Sequence, residues 1–190
     1  MAEPTHQPIT ELLDAVGAGD EGARRELWAV VYSELRRMAG GQMGRDAAGR
    51  TLQPTTLVHE CYFRLFPDGK GQFANRRHFF AAAANAMRRI RIDDARHRKR
   101  LKRDGRRRVE LDADTPAGAE RDPATELAVD EALGKLERID PRKAEIVTMR
   151  FFADMTINEI AAVLEVSPRT VDNEWRFARA WLHRELGEGT

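Results

Sequence analysis

The sequence predicts an all-α protein of two small helical domains, an N-terminal bundle and a C-terminal four-helix unit, joined by a flexible acidic linker. Three observations lead there. Apolar residues recur at three- and four-residue steps along most of the chain, and no stretch alternates as a half-buried strand would. Gly, Pro and Asp stand where those periodic stretches stop and start. Between Glu110 and Glu131 the composition turns to eight acidic residues and one Arg, with frequent Pro, Gly and Ala, so its first half reads as a linker. At 190 residues there is chain enough for one medium domain or two small ones, each with a core.

The elements follow in order. Ile9, Leu12, Leu13 and Val16 make a first helix that ends near Gly17 and Gly19. After Asp20, a second helix carries Leu27, Trp28, Val31, Leu35 and Met38, and Gly40-Gly41 stops it. A third, from about Pro54 to Phe66, shows Leu57, Val58, Cys61, Tyr62 and Leu65 before Pro67-Asp68-Gly69 breaks it. A fourth runs from about Arg76 into a basic stretch, with Phe79, Phe80, Ala83, Met87 and Ile90 on one side. Four helices with one apolar stripe each make a bundle. Beyond the linker, Asp122-Pro123 starts a helix with Leu127, Leu133 and Leu136, and Asp140-Pro141 starts one with Ile146, Val147 and Met149.

The last two helices are the most informative. Thr156 and Glu159 have capping-box spacing, and Ile157, Ile160, Ala161 and Leu164 then form one apolar face. Ser167-Pro168 is an N-cap followed by a first-turn proline, so a second helix starts almost at once. Val171, Trp175, Ala178 and Leu182 are its expected buried side, and Ala161 is small enough to let Val171 close the helix crossing. This is helix-turn-helix spacing, which puts the second helix in the DNA major groove. Arg169, Thr170, Asp172, Asn173, Arg176 and Phe177 are left to meet DNA. Glu165 stands at the turn position usually taken by Gly and must accept a left-handed backbone or a different turn. A plain helical hairpin with a solvated charged face is the competing reading.

The net charge of +1 does not point to nucleic acid, but its distribution does. From Arg88 to Arg108 twelve Lys or Arg stand against three Asp, a local +9 that leaves −8 for the remainder. Such a stripe is a footprint for phosphate, although Lys102–Arg108 reads equally as a solvated charge run. Cys61, the single cysteine, lies on an apolar helix side and reads as a buried structural thiol. Asp93 and His97 are four residues apart, but with no third ligand at suitable spacing they read as a local charge pair. No nucleophile–base set, phosphate-cradling loop or paired carboxylates emerge, so no enzyme, cofactor or metal is expected. No membrane-length apolar run and no signal-peptide core are present, so a cytoplasmic protein is expected.

Four passages together resemble a known family. LVHECYFRLF (Leu57–Phe66), FFAAAANAMRRIRIDDARHRKR (Phe79–Arg100), the acidic linker and PRKAEIVTMRFFADMTINEIAAVLEVSPRTVDN (Pro141–Asn173) are similar to bacterial RNA polymerase sigma factors of the extracytoplasmic-function (ECF) type. His59 and Glu165 depart from the family's common Gln and Gly. The LQPTTLVHE opening (Leu52–Glu60) resembles one branch of these factors more weakly.

The resemblance implies a region 2-like domain over residues 1–105, a linker over 106–122 and a region 4-like domain over 123–190. It implies a specificity subunit that binds core RNA polymerase and directs it to promoters. Leu57, Val58, His59 and Glu60 would dock on the β′ clamp coiled coil, and the C-terminal unit would meet the β flap. Gln72, Phe73 and Asn75 would receive unstacked bases of the −10 element, with Arg88, Arg89, Arg91 and Arg96 on its phosphates. Phe79 and Phe80 read as ordinary core. The recognition helix would read the −35 element. An anti-sigma factor is a further candidate partner. The competing functions are a helix-turn-helix regulator acting without polymerase and an RNA-binding antiterminator.

Overall fold

Eight α-helices and one π-helical turn make up the described residues, 8–39, 52–67, 73–101 and 122–188, of the computed structural model. Helices α1 (Pro8–Gly17) and α2 (Glu21–Ala39) are joined by a turn in which Gly19 takes φ +92°, a conformation costly for any residue with a Cβ. Asp20 starts α2 by accepting the backbone N–H groups of Gly22 at 2.7 Å and Ala23 at 3.0 Å. Helix α3 (Pro54–Leu65) begins on a proline. Helix α4 (Arg76–Leu101) is the longest at 26 residues, and Asn75 Oδ1 caps it by accepting the His78 N–H at 2.9 Å. The C-terminal half comprises α5 (Pro123–Ile139), α6 (Pro141–Val147), the π-helical turn (Thr148–Phe152), α7 (Ile157–Leu164) and α8 (Pro168–Glu188).

The periodic apolar positions become two buried clusters. The larger gathers Leu27, Val31 and Leu35 of α2, Val58 and Cys61 of α3, and Phe79, Phe80 and Met87 of α4. It continues without a break into Ile146, Met149, Ile160 and Val171 of the C-terminal half. The second is built from Val129, Leu133 and Leu136 of α5 with Phe152, Ala178 and Leu182, and α4 contributes Ile92 to it. Each such side chain, fully buried, contributes about 1.5–3 kcal/mol. Both clusters therefore draw on residues from the two sides of the acidic segment, and α4, α6 and α8 each contribute to both. Residues 106–121 of the expected linker and Lys102–Arg108 lie outside the described residues.

The helix expected after Asp140-Pro141 is divided. Asp140 caps it as expected, accepting the Lys143 N–H at 3.1 Å, but α-helical geometry stops at Val147. The Thr148 hydroxyl donates back to the Ala144 carbonyl at 2.9 Å, and the turn then widens. Widening sends Met149 into the first cluster and Phe151 and Phe152 into the second. Thus the π-helical turn feeds both.

Cys61 is fully buried, and its Sγ is 3.7 Å from the Ala83 carbonyl. Burial pushes its thiol up to about 12, against a smaller opposing pull from the Arg64 charge. At pH 8 the thiolate is essentially unpopulated. Native protein should leave a chromogenic disulfide reagent unreacted at that pH, and one thiol per chain should titrate after denaturant is added. Among the described residues no helix is long and apolar enough to cross a membrane.

Candidate nucleic-acid interface

The helix-turn-helix is built by reciprocal capping. Thr156 Oγ1 accepts the Glu159 N–H at 3.3 Å while the Glu159 carboxylate accepts the Thr156 N–H at 2.7 Å. Glu159 also pairs with Arg37 of α2. Burial opposes its ionisation, but the Thr156 backbone N–H and the Arg37 charge outweigh that and hold the carboxyl below the usual range. Its stabilising contribution is therefore complete above the unfolded carboxylate's range and is lost as pH falls through the lowered folded value. Glu165 does take the left-handed conformation, at φ 55° and ψ 45°, and the Val166 N–H closes the turn on the Ala161 carbonyl at 3.0 Å. Ser167 Oγ then accepts the Thr170 N–H at 3.1 Å to start α8.

Helix α8 divides into two sides. Val171, Ala178 and Leu182 are buried, and Val171 and Ala161 lie in the same cluster. Trp175 is only half-buried, contrary to expectation, because it bridges the two clusters and keeps one edge in solvent. Arg169, Asp172, Asn173, Arg176 and Phe177 are exposed on the other side. The Phe177 ring lies 5.1 Å from the Lys143 ammonium. Thr170 is half-buried, and its hydroxyl shares a 2.8 Å hydrogen bond with Ser167, so its side chain serves the cap.

On α3 the expected partner-facing patch is redrawn. Leu57 and Val58 are buried in the first cluster, so these two side chains hold the helix in place and cannot offer an apolar surface. His59 and Glu60 are exposed. The apolar surface beside them comes instead from Phe63, 69% exposed one turn beyond Glu60, and from Trp28 of α2, whose ring meets Tyr62 edge-on at 4.0 Å.

Arginines of α4 point two ways. Arg89 and Arg96 are exposed, and Asp93 lies 3.5 Å from Arg96 and 3.4 Å from Arg64, its ion partners in place of the expected His97. Arg88 and Arg91 instead turn toward α5, each side chain only 13% exposed. Arg88 Nε donates to Asp130 Oδ1 at 2.6 Å and its Nη1 bonds Glu137. Arg91 donates to Glu126 Oε1 from Nε at 3.1 Å and from Nη2 at 2.9 Å. Glu126, 2% exposed, also accepts from Arg98 at 2.9 Å. A groove of about 1110 Å³ runs beside these residues. Phe63, Arg64, Phe73, Arg89 and Arg96 line it, together with Asp130 and Glu137 of α5.

Of the residues expected to receive bases, Gln72 lies outside the described residues. Phe73 is half-buried, its ring 5.3 Å from Phe79, and Asn75 spends its carbonyl oxygen on the α4 cap. Phe79 and Phe80 are core, as expected. Sequence reasoning misses Glu126, Asp130 and Glu137 as partners of the basic stripe. For Glu126 and Asp130 the signal is present in the acidic run that follows the +9 segment, and Glu137 lies just beyond it. Among the described residues no group of His, Cys, Asp and Glu is arranged to hold a metal ion.

A family model described as ECF sigma factor matches residues 6–188. No curated protein and no solved structure matches the chain.

Proposed function

The chain belongs to the ECF sigma factor family, whose members direct RNA polymerase to promoters, and on that premise we propose how its surfaces divide the work. The family match over nearly the whole chain is the observation that carries this reading. Helix α3 docks on the β′ clamp coiled coil through Glu60 and His59, with Phe63 and Trp28 supplying the apolar contact in place of Leu57 and Val58. A carboxylate beside exposed aromatics suits a partner helix that carries both basic and apolar side chains. The C-terminal unit meets the β flap.

Helix α8 reads the −35 element through Arg169, Asn173 and Arg176, since Arg pairs well with guanine and Asn with adenine in the major groove. Asp172 and Phe177 border that contact. The α4 groove tracks the −10 strand. Arg89 and Arg96 hold its phosphates, Phe73 offers a ring to an unstacked base, and Arg88 and Arg91 join them once freed from α5. An anti-sigma factor would compete for these same faces. The protein itself supplies no catalysis, and it works in the cytoplasm, where the polymerase is.

Reconstitution with core RNA polymerase and promoter-directed run-off transcription tests the reading. Discrete transcripts that depend on this protein are expected. Tight binding to a palindromic duplex without polymerase, and no transcripts with it, would favour a conventional regulator. Within the holoenzyme, Arg89→Ala and Arg96→Ala each leave one phosphate without its cation. Each should flatten the salt dependence of promoter binding by about 0.7 to 0.9 in slope. An unchanged slope, read by filter binding across a salt series, would remove those two arginines from the interface.

A further inference from the structure

Helix α8 carries two acidic residues in its N-terminal half, and the fold uses them differently. Arg142 Nε of α6 donates to Glu174 Oε2 at 2.9 Å, so that charge is neutralised within the protein. Asp172 is exposed on the side that faces DNA, and none of Arg169, Asp172 and Arg176 makes an ion pair or a side-chain hydrogen bond. Arg169 stands three residues before it and Arg176 four after, the spacing at which acid and base pair along a helix. Helix stability does not account for a carboxylate here. As the fifth residue of α8, Asp172 lies beyond the first turn, where a helix N-terminus favours negative charge. Asp is also a poor residue for a helix interior.

We infer that Asp172 selects a cytosine within the −35 element by accepting its N4–H in the major groove. This rests on the reading of α8 as the helix that enters that groove. A carboxylate brought there is repelled by the phosphates on either side, whatever the sequence. Cytosine offsets that penalty, because its groove edge presents the N4 amino donor. Adenine also presents an amino group, but its N7 acceptor lies beside it, and guanine and thymine present acceptors. Selection therefore comes from the penalty on wrong bases as much as from the bond to the right one. The helix cannot rotate to take Asp172 elsewhere. Val171 and Ala178 are fully buried, and Ser167 Oγ fixes the first turn by accepting the Thr170 N–H at 3.1 Å.

The test uses the reconstituted holoenzyme and a pool of promoter duplexes randomised across the −35 region. The parent should enrich a cytosine whose preference falls about fivefold in Asp172→Ala, the low end for one base contact, while the other positions hold. Asp172→Asn should turn that position toward adenine, since an amide both donates and accepts. Both variants should keep native circular dichroism, because Asp172 is exposed. A second probe carries N4-methylcytosine at the enriched position, which keeps the pairing hydrogen and replaces the groove-facing one with a methyl group. It should weaken binding by the parent about fivefold and leave Asp172→Ala unaffected, a non-additivity that links this side chain to that atom.

Loss of the cytosine preference, with the methyl effect abolished in the same variant, supports the assignment. An enriched element unchanged by Asp172→Ala overturns it. So does a loss confined to guanine positions, which would make Asp172 a support for Arg169 and Arg176. Asn173→Ala, selected on the same pool, separates this inference from the one beneath it. If Asn173→Ala shifts the element and Asp172→Ala does not, only the cytosine contact falls. If neither shifts it, α8 is not the helix that reads the −35 element.

Discussion

Phe152→Ala should lower the unfolding free energy by about 3–5 kcal/mol, the range for truncating a buried aromatic, while Asn173→Ala should leave it within about 0.5 kcal/mol. Phe152 is fully buried between α5 and α8, with Arg88 above its ring at 5.9 Å, so its removal opens a cavity where both halves of the chain converge. Asn173 is exposed on the opposite side of α8 and supports nothing in the core. The two variants should separate again in promoter binding. Asn173→Ala should weaken preference at one position of the −35 element by about 1–3 kcal/mol, the worth of one bidentate base contact. Denaturant melts and binding to a set of single-base promoter variants check both halves. A destabilised Asn173→Ala protein would mean that α8 turns a different side to the core, and a normal Phe152→Ala protein that Phe152 is not packed between α5 and α8.

Glu60→Arg should abolish holoenzyme assembly while leaving helicity and melting nearly unchanged. Glu60 is exposed on α3, so the change removes no packing. At a docked interface, however, it would place a cation against a basic partner, and such like-charge juxtaposition costs several kcal/mol. About 2 kcal/mol already weakens binding roughly thirtyfold. Co-purification with tagged core polymerase reads the result. Normal assembly by this variant would move the clamp contact off α3. Phe63→Ala should weaken the same assembly without touching stability, because its ring is mostly in solvent in the free protein.

Much of this architecture is legible in the sequence because its signals are local. The Thr156–Glu159 box, the Ser167 cap and the Asp140 cap each involve residues three apart, and all three appear with hydrogen bonds in place. Apolar spacing also places Val171, Ala178 and Leu182 inward. What stays hidden depends on which helices meet. Leu57 and Val58 share the apolar spacing of Cys61 and Leu65 yet lie beside Glu60 in the sequence, and the approach of α2 and α4 decides that they are covered and not left to a partner. Trp175 follows the buried spacing but sits at a junction, where a ring that size cannot be wholly covered. At the widened turn after Val147 the Thr148 hydroxyl bonds back to Ala144, and periodicity encodes neither feature. Most consequential, the basic stripe reads as facing outward along its length, whereas acidic residues about 35 to 50 positions later claim one side of it.

The left-handed backbone at Glu165 bears on how this motif tolerates drift. Placing a residue with a Cβ there costs about 1–2 kcal/mol, which a domain stable by about 5–15 kcal/mol can carry. Glycine at this turn is thus a margin of safety and not a condition of folding. The hydrogen bonds from Thr156, Glu159 and Ser167, with the small Ala161 against Val171, hold the geometry without it. Lineages can therefore lose the glycine whenever other sites have stability to spare, and a search pattern that insists on it will pass over intact members.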